Sequence, residues 1–318
     1  MNALPGHWYA VASSRELGRS PLAKTRFGEQ LVFWRDSEGR PVCMPDRCPH
    51  RGAALSLGKI RNNAIACPFH GFEFAADGHC QRIPAEGSRP VPEGFCVGTY
   101  ELTESGGYIW LWRGPQTTNK PSPPAHSYTE GRRFAEHVGI WNAHYTRCIE
   151  NVIDYSHLPF VHTMTIGNFY GDPETRLHIE TVDGGFRAWP EEPDPDELHF
   201  EFLYPNLWLL RVAKFLVLTV AFAPLDDTHT EVYGRTWYGS KLPGLGPLMY
   251  VYNRFSQYMV FREDWPIVAS QQPGNVDDAD NDKLFPSDAG LIAYRKMRKA
   301  HQTAACGISD EEKAQQEA

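Results

Sequence analysis

The sequence predicts an α+β protein built from two domains of unequal size. Its 318 residues exceed what one ordinary hydrophobic core organises. The first third reads as short strands separated by turns, whereas the remainder combines alternating apolar and polar segments with one long helical stretch. A segment rich in Pro, Thr, Asn and Ser separates the two parts. We therefore expect a first domain at 1–114, a linker at 115–134 and a second domain at 135–318.

The first domain is predicted to be small and all-β. Apolar runs at Gln30–Trp34 and Tyr108–Trp112 have the aromatic and branched side chains that strands favour. The dipeptide Asp77-Gly78 is typical of a tight turn between two strands, because glycine adopts the positive φ angle that such turns need. Short strands joined by turns predict antiparallel pairing.

The second domain is predicted to combine a mainly antiparallel sheet with helices. Residues 146–161 have helical character, and 176–240 alternate apolar and polar residues over several segments. A long helix is expected from about 246 to 270, where it can pack on the sheet. We interpret the acidic, proline-rich run at 191–197 as a solvated loop.

Charge and hydropathy argue against nucleic-acid and membrane partners. The formal net charge is -8 and no dense block of Lys and Arg occurs, so a phosphate backbone would be repelled. The start of the chain lacks a basic region followed by an apolar run, and Arg211 and Lys214 interrupt the most apolar stretch. Seven cysteines, an odd number, fit a reducing compartment better than a disulfide framework. We expect a cytoplasmic protein.

Two cysteines and two histidines form a motif with metal-ligand spacing. Cys48-Pro49-His50 is followed, after sixteen residues, by Cys67-Pro68-Phe69-His70. Each pair mixes one thiolate with one imidazole, whereas a zinc finger usually groups its cysteines and its histidines separately. The mixture suits a [2Fe–2S] centre in which two thiolates bind one iron and two histidines bind the other. A structural zinc site is the alternative. The other cysteines are interpreted as small buried side chains or bystanders: Cys43, Cys80, Cys96, Cys148 and Cys306.

A second motif, Asp154-x-x-His157-x-x-x-x-His162, lies at the start of the second domain. On a helix, Asp154 and His157 share a face, where the carboxylate can accept a hydrogen bond from the imidazole. An unbroken helix would place His162 about 140° away from His157. We expect Pro159 to break the helix so that both rings can reach one metal. Taken alone, the pattern also fits an ordinary polar cluster.

A third ligand is sought downstream, in the segment that contains Glu263-Asp264. Helical spacing places Asp264 and Glu263 on different faces, but both faces are partly apolar, so periodicity does not decide between them. Pro266 follows two residues after Asp264 and would remove a helical hydrogen bond, so we expect a kink that could redirect the carboxylate.

The C-x-H and C-x-x-H pairs, extended here to Cys-Pro-His-Arg-Gly and Cys-Pro-Phe-His-Gly-Phe, resemble the Rieske family. With the Asp-His-His motif, nearly the whole chain is similar to the Rieske non-heme iron oxygenases. The resemblance implies a small all-β Rieske domain followed by a helix-grip (START-like) catalytic domain. Respiratory Rieske proteins carry two further cysteines beside the motif. Cys43 and Cys80 do not occupy those places, so the chain looks like the lower-potential oxygenase branch.

The resemblance also implies roles for individual residues. It gives the [2Fe–2S] cluster to the four Cys and His ligands named above, and a mononuclear Fe(II) to His157, His162 and Asp264, with Glu263 as the alternative to Asp264. Asp154 corresponds to a carboxylate that carries electrons from a Rieske histidine of a neighbouring subunit, here His70. Asn151 belongs to the same motif, in a structural or supporting role.

The function implied is that of a terminal monooxygenase component, which uses O2 to hydroxylate or to O- or N-demethylate a small organic substrate. Segments at 270–273, 286–288 and 293–295 are similar to single-subunit-type oxygenases of the vanillate-demethylase and saxitoxin-pathway kind. No flavin or nicotinamide signature occurs, so a separate NAD(P)H-dependent reductase or ferredoxin is expected. The family also implies a head-to-tail homotrimer. The alternative is a Rieske electron-transfer protein with a non-catalytic binding domain.

An aromatic substrate pocket is expected within 160–240, where aromatic residues are frequent and a planar or polycyclic substrate could bind. Its candidate lining residues are Phe160, Phe169, Tyr170, Phe202, Tyr204, Trp208, Phe215 and Trp237.

Overall fold

The computed structural model divides into two compact units, one formed by Trp8–Arg113 and the other by the residues before Trp8 together with the chain from Gly114 onward. The structure describes residues 3–115, 120–124, 127–129, 132–167, 174–190, 198–212, 216–238 and 245–316. Within these residues, the side chains at 127, 245 and 306–316 are left out of the description. The acidic run at 191–197 and the candidate pocket residues Phe169, Tyr170 and Phe215 lie outside this set.

The first unit contains three small sheets. Their strands are β1 (His7–Ser13), β2 (Leu22–Arg26), β3 (Glu29–Arg35), β4 (Pro41–Pro45), β5 (Lys59–Arg61), β6 (Ala64–Ala66), β7 (Glu73–Ala75), β8 (Cys80–Arg82), β9 (Leu102–Ser105) and β10 (Tyr108–Arg113). The strand orders are β1-β10-β9, β2-β3-β4 and β5-β6-β7-β8. The predicted apolar runs lie in β3 and β10, and Asp77-Gly78 turns the chain between β7 and β8.

The second unit contains one seven-stranded antiparallel sheet in the order β11-β17-β16-β15-β14-β13-β12. Every residue of β17 is buried in the interior of the sheet, whereas β12 lies at one edge and is mostly exposed. The strands are β11 (Arg133–Trp141), β12 (Leu177–Val182), β13 (Gly185–Pro190), β14 (Leu198–Leu203), β15 (Leu207–Val212), β16 (Leu216–Pro224) and β17 (Thr230–Tyr238).

Helices pack on this sheet and position the candidate site. They are α1 (Tyr145–Ile153), α2 (Leu158–Val161), α3 (Leu245–Ser270) and α4 (Ala289–Gln316). The long helix α3 lies against β11 and β17, while α4 contacts α1, β12 and β13. No helix in the described part of the chain is long and apolar enough to cross a bilayer. The predicted α+β fold class, with an antiparallel sheet and a long C-terminal helix, is confirmed.

The helix α3 runs continuously through Pro266. The proline therefore does not end the helix, and Asp264 points inward, with 3 % of its surface exposed. Its buried neighbours on the same face are Gln257, Phe261 and Val268. This is the face that helical spacing predicts for Asp264.

Gly78 is a position where a side chain cannot be accommodated. Its φ angle is 86°, and an added Cβ would lie 1.9 Å from the carbonyl oxygen of Val97. Since strain and backbone overlap act together, we expect Gly78→Ala to destabilise the first unit by about 2 kcal/mol or more. Thermal unfolding should show a clear fall in melting temperature. Gly106→Ala is the matched control, because its φ is also positive but its Cβ meets nothing within 4 Å. Equal shifts for the two variants would contradict the steric account.

Candidate metal centres

Two loops of the first unit present the predicted cluster ligands in equivalent backbone frames. In the first loop, the Cys48 N–H donates to Ala53 O at 2.8 Å and the Gly52 N–H donates to Cys48 O at 2.8 Å. The second loop repeats the pattern: the Cys67 N–H donates to Phe72 O and the Gly71 N–H donates to Cys67 O. Gly52 and Gly71 both have positive φ angles, near 75° and 71°. The glycines that flank the motif are therefore needed for the turns.

The four side chains of the loops are brought together with the sulfurs inside and the imidazoles outside. Cys48 and Cys67 belong to the hydrophobic core of the unit, with exposures of 2 % and 4 %. The rings of His50 and His70 are exposed and lie 4.8 Å apart between centroids. Burial, together with the neighbouring Cys67 thiol, raises the pKa of Cys48 to about 11. The two thiols are adjacent to each other and so are the two imidazoles, which is the pairing that a [2Fe–2S] centre with two Cys and two His ligands needs.

The remaining cysteines stand apart from this set. Cys43 in β4, Cys80 in β8 and Cys148 in α1 are buried, whereas Cys96 is exposed, and all four are free. Neither Cys43 nor Cys80 is paired in a disulfide beside the loops. The side chain of Cys306 lies outside the described residues.

A single short turn brings His157 and His162 together in the second unit. The helix α1 ends at Ile153, and the four-residue helix α2 is capped by His157 at its start and by His162 at its end. The Nε2 atoms of the two rings face each other at 3.3 Å. The prediction that Pro159 breaks the helix between them was wrong. Pro159 lies in the first turn of α2, where a missing N–H costs no helical hydrogen bond, and the break falls earlier, at 154–157.

Asp264 reaches the same point from α3. Its Oδ1 lies 3.1 Å from His162 Nε2 and 3.6 Å from His157 Nε2. Within the described residues these three side chains form a group whose potential ligand atoms all lie within 4.8 Å of one another. The sequence-predicted triad is thus brought together across about a hundred residues of chain.

The chemistry of this group fits a metal ion. Asp264 Oδ1 is buried and has no hydrogen-bond donor of suitable geometry, and a buried carboxylate oxygen left without a partner is costly. Burial acts to raise the pKa of Asp264, but the His157 and His162 imidazoles outweigh it and lower that pKa below its ordinary value. Two nitrogens and one anionic oxygen converging on one point are the donor set that iron takes in oxygenases.

Glu263, the alternative ligand, lies behind His162 rather than beside its Nε2. Its Oε2 is 3.2 Å from His162 Nδ1, whose N–H can donate to it. The same carboxylate accepts the Met164 N–H at 2.9 Å and a short hydrogen bond from the Thr165 hydroxyl. These contacts fix the orientation of the His162 ring, as carboxylates behind metal-binding histidines do.

Asp154 and Asn151 flank the group. Asp154 Oδ1 accepts hydrogen bonds from the Ser156 N–H at 2.9 Å and the Ser156 hydroxyl at 2.8 Å. Its Oδ2 is 3.8 Å from His157 Nδ1, too far for a hydrogen bond, and Asp154 caps α1 in an extended conformation. The predicted shared helical face, and the hydrogen bond it would allow, were therefore wrong. Asn151 lies on α1 and lines the adjoining cavity.

A cavity of about 280 Å³ is lined by residues of α3 and of the sheet, and the three triad residues form part of its wall. Of the predicted aromatic lining, Trp208 is confirmed; Phe202, Tyr204 and Trp237 are buried outside it, and Phe160 is exposed. The apolar walls include Leu177, Leu198, Phe200, Leu210, Leu218 and Val260. The sequence reasoning missed the contribution of α3, which supplies Asn253 and Gln257 as well as Asp264.

Replacing Glu263 should weaken metal binding without abolishing it. We expect Glu263→Gln to lower the affinity for Fe(II) by about 10- to 100-fold, because the charge behind His162 is lost. Chelator competition on the reconstituted protein measures this, with the cluster spectrum as an internal reference. Glu180→Gln, on the exposed edge strand, is the matched control. If Glu263→Gln lost its mononuclear iron completely while Asp264→Asn retained it, Glu263 would be the ligand instead of Asp264.

The two units match two known family models. Residues 7–101 match the Rieske [2Fe-2S] domain, and residues 141–203 match the vanillate O-demethylase oxygenase C-terminal domain. The fold and the family models thus define a protein with an iron-sulfur domain followed by a second domain of an oxygenase type.

Individual relatives agree with this class. The chain is 32% identical to a vanillate O-demethylase oxygenase subunit of Pseudomonas sp., over 55% of this chain and 50% of the relative. It is 28% identical to the methylxanthine N1-demethylase NdmA of Pseudomonas putida, over 92% of this chain and 89% of that one. The structure of NdmA with caffeine superposes with a TM-score of 0.81, at 25% identity, covering 94% and 92% of the two chains.

The chain thus contains a Rieske [2Fe-2S] domain and a segment of the vanillate O-demethylase oxygenase C-terminal type, and its structure resembles that of a Rieske oxygenase. It spans half or less of the length of the first curated relatives that it matches.

Proposed function

We propose that this chain is the terminal oxygenase component of a Rieske monooxygenase system, which hydroxylates or O- or N-demethylates an organic substrate with O2. The observation that carries the proposal is the convergence of His157, His162 and Asp264 in the wall of a largely apolar cavity. A ligand set placed there is accessible to a substrate, whereas a purely structural metal site is closed by its own ligands.

Fe(II) bound by these three residues would supply the activation of O2, since two histidines and one carboxylate leave coordination positions open. The chain's own residues prepare the site. Glu263 orients His162, and the apolar cavity walls exclude water and position the substrate next to the triad. The His157 and His162 rings are half-buried or buried, which limits access by other routes.

The electron supply follows from the first unit. We propose that Cys48, His50, Cys67 and His70 hold the [2Fe–2S] cluster, and that a separate NAD(P)H-dependent reductase or ferredoxin reduces it. His70 is exposed, as an exit for electrons requires. Asp154, beside His157, is proposed to accept a hydrogen bond from His70 of the partner subunit in a cytoplasmic homotrimer.

The names of two relatives support demethylation as a reaction type. Vanillate O-demethylase and methylxanthine N1-demethylase are both demethylases by name. Oxidation of an O-methyl group consumes one O2, two electrons and two protons, and releases formaldehyde, water and the free hydroxyl compound.

Product analysis tests the proposal. Reconstituted protein, supplied with a ferredoxin and its NADPH-dependent reductase, is offered aryl methyl ethers and N-methyl heterocycles under ¹⁸O2. Formaldehyde release or an ¹⁸O-labelled hydroxyl group is the expected result. Independently of substrate, the ferrous protein exposed to nitric oxide should give a high-spin iron-nitrosyl EPR signal that Asp264→Ala lacks. A chain with the cluster signal but no nitrosyl signal is the electron carrier of the alternative.

A further inference from the structure

We propose that the substrate carries an uncharged hydrocarbon group at the end remote from the triad, and that Leu210 and Leu218 recognise this group by apolar contact. The inference rests on the proposed function and specifies the substrate class of the same cavity. Its basis is a set of aliphatic side chains of the sheet that line the cavity and are only partly covered by the protein.

Three neighbouring strands supply these aliphatic side chains. Leu210 on β15 lies directly opposite Leu218 on β16, and Val212 lies opposite Leu216. Leu198 on β14 pairs with Val212. Directly opposed residues, and residues two apart on one strand, share a face of the sheet, and all five side chains line the cavity. We call these five side chains the aliphatic floor.

The opposite face of the same strands shows a different degree of packing. Leu209 on β15 is 0 % exposed and Val217 on β16 is 1 % exposed, because both belong to a hydrophobic cluster. The five side chains of the aliphatic floor are only half-buried. Aliphatic surface that the protein leaves uncovered in a cavity favours an apolar partner over water. The aliphatic floor is therefore suited to bind a hydrocarbon group.

The aliphatic floor lies away from the triad along α3. Leu218 is opposite Thr236 on β17, and Thr236 Oγ1 accepts a hydrogen bond from Gln257 Nε2 at 2.9 Å. Gln257 precedes Asp264 by seven residues, which is about 10 Å along the helix axis. A molecule whose reacting carbon lies at the triad therefore reaches the aliphatic floor with its opposite end.

The sheet offers no available polar partner to that end of the substrate. Three side chains with polar atoms contribute to its part of the described lining, and they are 1 %, 4 % and 8 % exposed: His199, Thr236 and Trp208. Thr236 is bound by Gln257, and His199 Nε2 lies 3.5 Å from a Glu201 oxygen. Trp208 Nε1 is buried within the protein. A carbonyl or charged group on the aliphatic floor would therefore lose water without gaining a partner from the sheet.

The triad end of the cavity differs from the aliphatic floor in charge. A divalent iron bound to the Asp264 carboxylate leaves a net positive charge there, so an anionic or polar group is accommodated at that end. The proposal accordingly specifies only the remote end of the substrate. The volume of about 280 Å³ lies near the lower end of the usual range for ligand pockets, which suits one or two rings.

Equilibrium binding to the oxidised holoprotein, measured by calorimetry, tests the inference without turnover. The probes are anisole, 4-isopropylanisole and 4-methoxyacetophenone, of which the last two match in size and differ in the group opposite the methoxy carbon. We expect 4-isopropylanisole to bind about tenfold more tightly than either of the others, because only its isopropyl group gains apolar contact without losing a hydrogen bond to water.

Variants locate this preference on the aliphatic floor. Leu210→Asn and Leu218→Asn introduce an amide of similar size, and each should weaken the binding of 4-isopropylanisole about tenfold while changing that of anisole less. Leu225→Asn is the matched control, because Leu225 is also half-buried in the second unit but does not line the cavity. It should bind all three probes as the unaltered protein does.

Each outcome bears on one claim. Equal binding of anisole and 4-isopropylanisole, tighter binding of the ketone, or unaltered affinities in both floor variants would overturn the substrate class and leave the oxygenase proposal standing. The expected binding order without an iron-nitrosyl signal would instead remove the proposed function. The cluster EPR signal and the melting temperature verify that each variant is folded, and the comparison of probes on the unaltered protein does not depend on any variant.

Discussion

His162→Ala is expected to remove one iron per chain, abolish product formation and leave the Rieske cluster intact. The Nε2 of His162 faces both His157 Nε2 at 3.3 Å and Asp264 Oδ1 at 3.1 Å, so its removal deletes the central donor of the group. It also leaves the Glu263 carboxylate without its imidazole partner. Metal analysis should fall from the two cluster irons plus one to the cluster irons alone.

The control for this experiment is His178→Ala, which removes an exposed imidazole on the edge strand β12. It should keep the full iron content. The cluster EPR signal should be the same in both variants, because the cluster ligands belong to a different unit. A His162→Ala protein that retains all its iron would refute the ligand assignment.

Asp154→Asn is expected to retain both metal centres and to slow electron delivery by about 10- to 100-fold or more. The amide keeps an oxygen for the two Ser156 hydrogen bonds, so the local turn should persist. It replaces the Oδ2 acceptor, 3.8 Å from His157 Nδ1, with a donor and removes the negative charge. Stopped-flow oxidation of the reduced cluster by O2 in a single turnover measures the effect.

Asp183→Asn, in the exposed turn between β12 and β13, is the matched control for charge removal. It should oxidise its cluster at the wild-type rate. If Asp154→Asn also does so, Asp154 is not the bridge between the centres. If Asp154→Asn loses the mononuclear iron, the role of Asp154 is structural.

Much of the fold was predictable because the relevant signals are local. The apolar run in β3 and the Asp77-Gly78 turn each depend on a few adjacent residues, and each is found where the pattern indicates it. The long helix begins and ends within a residue of its predicted bounds. Its interior proline did not end it, since tertiary packing on β11 and β17 stabilises the helix beyond one missing hydrogen bond.

The candidate cluster site could also be predicted from the sequence, because its signal is local. Its four side chains come from two short loops, and the glycines needed for those loops stand beside them. Asp264 was harder, because α3 carries apolar residues on its exposed side as well, including Phe255 and Tyr258. Periodicity therefore did not decide whether Asp264 or Glu263 is the ligand. Only the packing of α3 shows that Asp264 points inward and that Glu263 lies behind His162.

Other features depended on contacts that no local pattern encodes. The position of Pro159 is compatible with ending one helix or with starting the next, and only the structure distinguishes these. The cavity wall contributed by Asn253 and Gln257 arises because α3 crosses the sheet next to β17. The one available signal was their spacing from Asp264, which places them on its face.

The central claim is that His157, His162 and Asp264 bind one mononuclear iron. An anomalous difference map of the crystallised holoprotein, recorded at the iron absorption edge, tests it most directly. The account predicts one isolated peak bounded by the two Nε2 atoms and the Asp264 carboxylate, in addition to the peak of the cluster at the Cys48 and Cys67 loops. A peak bound by Glu263 instead, or no peak outside the cluster in iron-replete crystals, would contradict it.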